Sequence, residues 1–98
     1  MNIRKIFKEI EKYGEKYYVD VQMNCIETEE DGCVDLLELY FSDDRIPEGF
    51  TPDDCISYEI TDHGLVLKWN YQRDDLEDLP YLINDKKTLK RVIKDFSI

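Results

Sequence analysis

The first segment of the chain carries apolar residues at the spacing of one helical face. They are Ile3, Ile6, Phe7, Ile10 and Tyr13. Because charged residues fill most of the positions between them, the pattern predicts an amphipathic helix from Asn2 to Tyr13. Asn2 is suited to the N-cap, and Gly14 is suited to a left-handed stop after the last turn.

The last segment of the chain repeats this helical spacing. Its apolar stripe consists of Leu89, Val92, Ile93 and Phe96. Asn84 or Asp85 precedes the stripe, and either side chain can accept a hydrogen bond from the first helical turn. We therefore predict a second amphipathic helix near the end of the sequence.

Between these helices the apolar residues alternate with polar ones, which predicts strands. The first strand alternates at Tyr17, Val19, Val21, Met23 and Cys25. A turn over 29–32 leads into a second strand from Val34 to Phe41. If the numbers of paired residues sum to 60, the apolar pairs are Met23–Leu37, Val21–Leu39 and Val19–Phe41. This register leaves Leu36 and Tyr40 on the other face of the sheet.

A second hairpin follows, with a turn over 61–64. Its apolar positions are Ile56, Tyr58, Ile60, Leu65, Leu67, Trp69 and Tyr71. The order α-β-β-β-β-α predicts an α+β fold in a single domain, 1–98: a two-layer sandwich in which a four-stranded antiparallel sheet carries both helices on one face. The residues expected in its core are Ile10, Val21, Leu39, Leu67, Trp69, Leu89 and Ile93.

Charge is distributed unevenly along the chain. The 23 acidic and 13 basic side chains give a net charge of −10, which disfavours binding to bare nucleic acid because proteins bind phosphates through cations. Residues 1–18 and 84–98, which contain the predicted helices, carry +2 and +3, whereas residues 19–83 carry −15. The sheet and its loops therefore hold all of the excess acidity.

Two long acidic loops, 42–54 and 72–84, are expected at one end of the sheet, because alternate strands of a meander run in the same direction. The candidate partner-binding residues in these loops are Asp43, Asp44, Glu48, Phe50, Asp53, Asp54, Asp74, Asp75, Glu77 and Asp78. The functional interpretation is an acidic docking surface for a basic partner, and the alternative is that these acids only keep the protein soluble.

Two further points about these surfaces remain open at the level of sequence. Ile46 and Phe50 either fold back as a satellite core, which we favour, or form an apolar anchor surrounded by acids. The outer sheet face is a second candidate surface, since it carries Asp20, Glu38 and Glu59 beside Leu36 and Tyr40.

The sequence offers no complete catalytic set, and we predict that the protein is not an enzyme and holds neither a cofactor nor a metal. His63 lies in a Thr-Asp-His-Gly turn, which is typical of a polar turn residue. The acids at 74–78 lack the spacing of a calcium loop, and the four glycines form no phosphate-binding loop.

The three cysteines, Cys25, Cys33 and Cys55, are an odd number without CxxC spacing. Without a recognisable leader or membrane segment, this usage predicts reduced thiols in the cytoplasm. Cys25 and Cys33 flank one predicted hairpin, so a disulfide between them is the less favoured alternative. A zinc site is less favoured again, because His63 is the only imidazole.

Several local features resemble the small acidic phage-encoded inhibitors of the anti-CRISPR, nucleic-acid-mimic type. They are the opening Met1-Asn2-Ile3, Glu9-Ile10 and Tyr13 in the first helix, the Tyr18-Val19 strand start and the later carboxylate clusters. The resemblance lies in general plan and composition. It implies an inhibitor in the host cytoplasm that occupies the nucleic-acid groove of a basic protein, such as an RNA-guided nuclease.

Strand geometry is compatible with such mimicry, because alternate carboxylates on one strand lie about 6.6–6.8 Å apart, close to the step between neighbouring phosphates. An immunity-type protein that neutralises a basic toxin would need the same acidic surface and is the alternative. A small enzyme is the least favoured hypothesis.

Overall fold

The computed structural model describes residues 1–30, 32–42, 46, 48–51, 54–70 and 79–96. In order, these ranges contain α1 (Ile3–Lys16), β1 (Val19–Thr28), β2 (Gly32–Phe41), β3 (Cys55–Thr61), β4 (Gly64–Asn70), β5 (Leu82–Ile83) and α2 (Lys86–Phe96). No helix within these ranges is both long and apolar enough to cross a membrane.

The strands form one antiparallel sheet in the order β1-β2-β3-β4-β5, so every strand pairs with its neighbour in sequence. The predicted register of the first hairpin is confirmed, with Val21 opposite Leu39 and Met23 opposite Leu37. The α+β class is also confirmed, but the prediction of four strands is one short. The fifth strand pairs only Leu82 and Ile83 with β4, and two residues are too few to show an alternating pattern.

Both helices pack against the same face of the sheet, here called the helix side. Their buried residues join one apolar core with the helix-side residues of the strands. The helices contribute Ile3, Ile10, Leu89, Val92, Ile93 and Phe96, and the sheet contributes Val19, Val21, Leu37, Leu39, Phe41, Ile56, Tyr58, Leu65 and Ile83. Of the predicted core, Leu67 is only half-buried, and the side chain of Trp69 lies outside the described residues.

The end of α1 differs from the prediction. The helix continues beyond Tyr13 to Lys16, and Gly14 is buried inside it. The left-handed residue is instead Tyr18, with φ of 59°. Gly14 is needed for space, because a Cβ there would lie 2.7 Å from the backbone oxygen of Val19. Glycine at a helix end permits either a left-handed turn or a close approach, and the sequence alone does not distinguish them.

The end of the β1–β2 hairpin is more exposed than predicted, and its two cysteines differ from the prediction. The side chain of Met23 is 37% exposed and Cys25 is exposed, although the alternation placed both on the buried face.

Cys25 and Cys33 form a disulfide, with 6.2 Å between their Cα atoms, and only Cys55 is a free, buried thiol. The Cα separation lies within the usual range for a disulfide, so the prediction of three reduced thiols is wrong for this pair.

The predicted start of α2 is confirmed, and Asp85 is its cap. The Asp85 carboxylate accepts hydrogen bonds from the backbone N–H of Thr88 at 2.7 Å and from its hydroxyl at 2.8 Å. The second hairpin also matches its prediction: His63 is exposed in the turn, and its backbone N–H donates to the hydroxyl of Thr61 at 3.2 Å. Tyr71, the last of the predicted apolar positions of this hairpin, lies outside the described residues.

Candidate partner-binding surface

The acidic loop end is described only in part. Strands β2 and β4 end, and β3 begins, at this end of the sheet, so both long loops leave the sheet here as predicted. Strand β5 instead pairs with Leu65 and Val66 at the start of β4, towards the other end of the sheet. Most of the candidate residues lie outside the described residues: Asp43, Asp44, Asp53, Asp74, Asp75, Glu77 and Asp78. Of the remaining three, Glu48 is exposed, whereas Phe50 and Asp54 face the protein.

Asp54 and Phe50 hold the β2–β3 loop against the sheet. Asp54 is 2% exposed, and its carboxylate accepts a hydrogen bond from the backbone N–H of Thr51 at 2.8 Å. The ring of Phe50 packs against that of Phe41 with 5.3 Å between centroids, and Ile46 also packs against the core. The satellite-core interpretation therefore describes Ile46 and Phe50, and the contacts of Asp54 are structural.

The second candidate surface, the outer face of the sheet, lies opposite the helix side and is covered by neither helix. It carries Asp20, Glu38 and Glu59, as the alternation predicted. Lys68 is the cation beside them, with its Nζ 3.7 Å from a carboxylate oxygen of Glu59. The described part of this face is therefore acidic overall.

Glu38 is the most constrained acid on the outer face. Its carboxylate accepts hydrogen bonds from the amide of Asn24, from the hydroxyl of Tyr40 at 2.9 Å and from the hydroxyl of Ser57 at 3.5 Å. Burial raises the pKa of Tyr40 strongly, and the hydrogen bond to Glu38 raises it further. Tyr40 therefore stays a neutral donor, and the negative charge of Glu38 is held in one orientation.

An apolar groove of about 380 Å³ lies beside Glu38 on the outer face. Its walls include Ile26 of β1, Val34 and Leu36 of β2 and Cys55 of β3. Ile26 is 45% exposed, whereas Leu36 is only 6% exposed, so the groove has an accessible rim and a buried floor. Apolar surface beside fixed carboxylates is the arrangement of a protein-binding site with a hydrophobic centre and a polar rim.

Sequence reasoning placed Leu36 on the outer face but missed the groove. The signal was present, because continuing the same register pairs Ile26 with Val34, as the structure does. These two apolar residues and Cys55 then share a face with Leu36 across three neighbouring strands. The prediction stopped at the apolar pairs that face the helices.

The helix side has the opposite charge. A groove between α1 and α2 is lined by Tyr13, Lys86, Lys87, Lys90, Arg91 and Lys94. Glu9 of α1 bridges the helices, with a carboxylate oxygen 3.0 Å from the Nζ of Lys86 and 3.5 Å from that of Lys90. The hydrogen bond from Lys86, helped by the charge of Lys90, lowers the pKa of Glu9. The two faces of the molecule thus differ in charge: the helix side is basic, and the described part of the outer face is acidic.

Compared with protein-family models, with curated proteins and with solved structures, the chain shows no significant similarity to any of them.

Proposed function

We propose that the protein is an acidic protein-binding inhibitor that occupies the basic nucleic-acid-binding surface of a partner, such as a nuclease. The observation that carries the proposal is the outer face of the sheet, where an apolar groove adjoins a carboxylate held by three hydrogen bonds. A pre-oriented acid beside an apolar anchor offers both parts of such an interface: charge to match a Lys/Arg surface and apolar area to hold it.

The polarity of the molecule favours one orientation on such a partner. The field of a basic groove attracts the sheet and loops, with their charge of −15, and repels the two basic helices. The protein therefore approaches with its sheet towards the partner before the two proteins are in contact. Charge arranged in this way raises the association rate more than it slows dissociation.

The outer face extends the candidate surface beyond the acidic loops. Because Asp54 and Phe50 are occupied by contacts within the protein, we assign the apolar part of the interface to Ile26, Val34 and Leu36. Glu48, which is exposed, then extends the acidic area at the end of the sheet where the β2–β3 loop lies.

The partner is to be identified by capture on the immobilised protein at low salt, and its binding then measured with the purified pair. The proposal expects the captured protein to be basic and to release its DNA or RNA when the inhibitor is added. It also expects no gel shift of a free oligonucleotide at about 0.15 M salt. A tight complex with the free oligonucleotide, or simultaneous binding of nucleic acid and inhibitor to the partner, contradicts the proposal.

Matched charge variants locate the surface. Glu38→Gln with Glu59→Gln removes two charges from the outer face, and Glu11→Gln with Glu15→Gln removes two from α1. The first pair should lower the association rate and its salt dependence, whereas the second, on the side facing away from the partner, should change both much less. A third variant, Asp43→Asn, Asp44→Asn and Asp53→Asn, tests the loop end and leaves Asp54 in place. Equal effects of the two Glu pairs would show that only net charge matters.

A further inference from the structure

The end of the β1–β2 hairpin carries a second cluster of functional side chains, distinct from the outer face. The two Sγ atoms of Cys25 and Cys33 and a carboxylate oxygen of Asp35 all lie within 4.8 Å of one another. Both cysteines are exposed, and the side chain of Asp35 is 47% exposed. A reagent in solution can therefore reach all three groups.

The strand register explains why these groups meet. Cys25 lies directly opposite Asp35, and Cys33 lies opposite Glu27, two positions further along the same face. Side chains directly opposite each other on antiparallel strands have Cβ atoms about 4.5–5.5 Å apart. The hairpin thus places two thiol groups and a carboxylate together, with Glu27 as a second acid in the adjoining pair.

This ligand set is one that zinc-class cations bind. Zn²⁺ takes thiolate sulfur at about 2.3 Å and carboxylate oxygen at about 2.0–2.2 Å in tetrahedral geometry, which places neighbouring ligand atoms about 3.4–3.8 Å apart. In the disulfide the two sulfurs are only about 2 Å apart, so after reduction they must separate by nearly 2 Å. The Asp35 oxygen, within 4.8 Å of both sulfurs, needs to move by at most about an ångström, and exposed side chains allow both movements. Three protein ligands leave the fourth position for water.

The chain folds with these sulfurs joined as a disulfide, and a disulfide sulfur is not a thiolate ligand. We propose that Cys25, Cys33 and Asp35 form a redox-gated site for a thiophilic divalent cation of the zinc class, open when the pair is reduced and closed when it is oxidised. A dithiol reductant supplies two electrons and two protons to the pair and becomes a disulfide itself. Metal binding then releases the two thiol protons.

Neighbouring charges both favour and oppose this site. Glu27, Glu29 and Glu30 lie at the same end of the hairpin and attract a divalent cation. Arg4 of α1 forms an ion pair with Asp35 and so competes with the metal for that carboxylate. We therefore expect Arg4→Gln to tighten metal binding, because it removes both the competition for Asp35 and a nearby positive charge.

The test uses Cd²⁺ as the probe, because thiolate–cadmium bonds give an ultraviolet charge-transfer band. Reduction with a phosphine, which takes its oxygen from water and becomes the phosphine oxide, should let the full chain bind one equivalent of Cd²⁺. The oxidised chain should give no band. Loss of an outer-shell partner already weakens metal sites about 10–100-fold, so Asp35→Asn should weaken binding at least tenfold. The control Asp95→Asn, on α2, should have no effect.

Three results would overturn the proposal. One is the absence of a band from the reduced chain while its circular dichroism remains folded. Another is an unchanged band in Cys25→Ser, since Cys25 would then not be a ligand. The third is equal Cd²⁺ affinity of Asp35→Asn and wild type. The comparison of oxidised and reduced wild type needs no variant, so it tests the redox gating even if a substitution fails to fold.

Discussion

At the scale of single residues, Gly14 decides how closely α1 approaches the sheet. Alanine there would raise helix propensity by up to about 1 kcal/mol, but its Cβ would lie 2.7 Å from the Val19 oxygen and 2.8 Å from a Val21 methyl. Because the nearer atom belongs to the backbone, we expect the steric cost to prevail and Gly14→Ala to lower the free energy of unfolding by about 1–3 kcal/mol. Urea denaturation measures this, with exposed Lys12→Ala as the control. A stabilised Gly14→Ala would show that the strand can shift freely.

Tyr58 makes a pH-dependent contribution to stability. It is fully buried, its hydroxyl donates to the Pro80 carbonyl at 2.9 Å, and burial raises its pKa to about 12. Tyr58→Phe should lower the free energy of unfolding by about 0.5–1.5 kcal/mol at pH 8. The folded pKa lies above the unfolded value of about 10, so the stabilisation is present below pH 10 and is lost as pH rises toward 12.

The difference in unfolding free energy between wild type and Tyr58→Phe should therefore decrease between about pH 10 and pH 12. Urea denaturation at several alkaline pH values measures it, and taking the difference removes the contribution of the other tyrosines. A difference that stays constant over this range would mean that the pKa of Tyr58 is not raised by folding.

At the scale of elements, the first turn of α2 depends on one cap. Hydrogen bonds from the backbone N–H and the hydroxyl of Thr88 lower the pKa of Asp85. Asp85→Ala should lower the melting temperature by several degrees at pH 7, whereas Asp85→Asn should keep most of the cap. A lowered folded pKa means that the stabilisation is present above about pH 3.9 and is lost as pH falls through the folded value. Wild type should therefore approach Asp85→Ala in acid, and thermal melts from pH 7 to pH 2 would show whether it does.

The elements also show how far sequence reasoning reaches here. Alternation fixes which face a residue takes, so the register of β1 with β2 and the stripe of α2 could be predicted. Alternation does not reveal where a covering helix ends, and this is why it assigns Met23 and Cys25 to the helix side without showing that both are exposed. The disulfide could not be predicted, because its formation depends on redox conditions as well as on spacing. The outer-face groove could have been predicted, because extending the same register pairs Ile26 with Val34 on that face.

At the scale of the whole molecule, repulsion among like charges opposes the fold. The described ion pairs, such as Arg4–Asp35 and Lys68–Glu59, are exposed or partly exposed and contribute little, while residues 19–83 hold a charge of −15. Screening that repulsion should outweigh weakening of the pairs. We therefore expect the melting temperature to rise as NaCl is raised from about 0.01 M to about 0.1 M. A fall in melting temperature would mean that the ion pairs between helices and sheet contribute more to stability than the repulsion among the acids removes.

The order of the strands has a consequence for how the chain folds. Each strand pairs with its neighbour in sequence, whereas Glu9 and Lys86, which join the helices, are 77 residues apart. Local pairings close small loops and form early, and distant ones follow. We expect Val21→Ala to slow folding and Phe96→Leu mainly to speed unfolding, as measured by stopped-flow chevrons. Slower folding in Phe96→Leu would contradict this order. On this pathway the sheet, including its outer face, is in place before α2 covers the helix side.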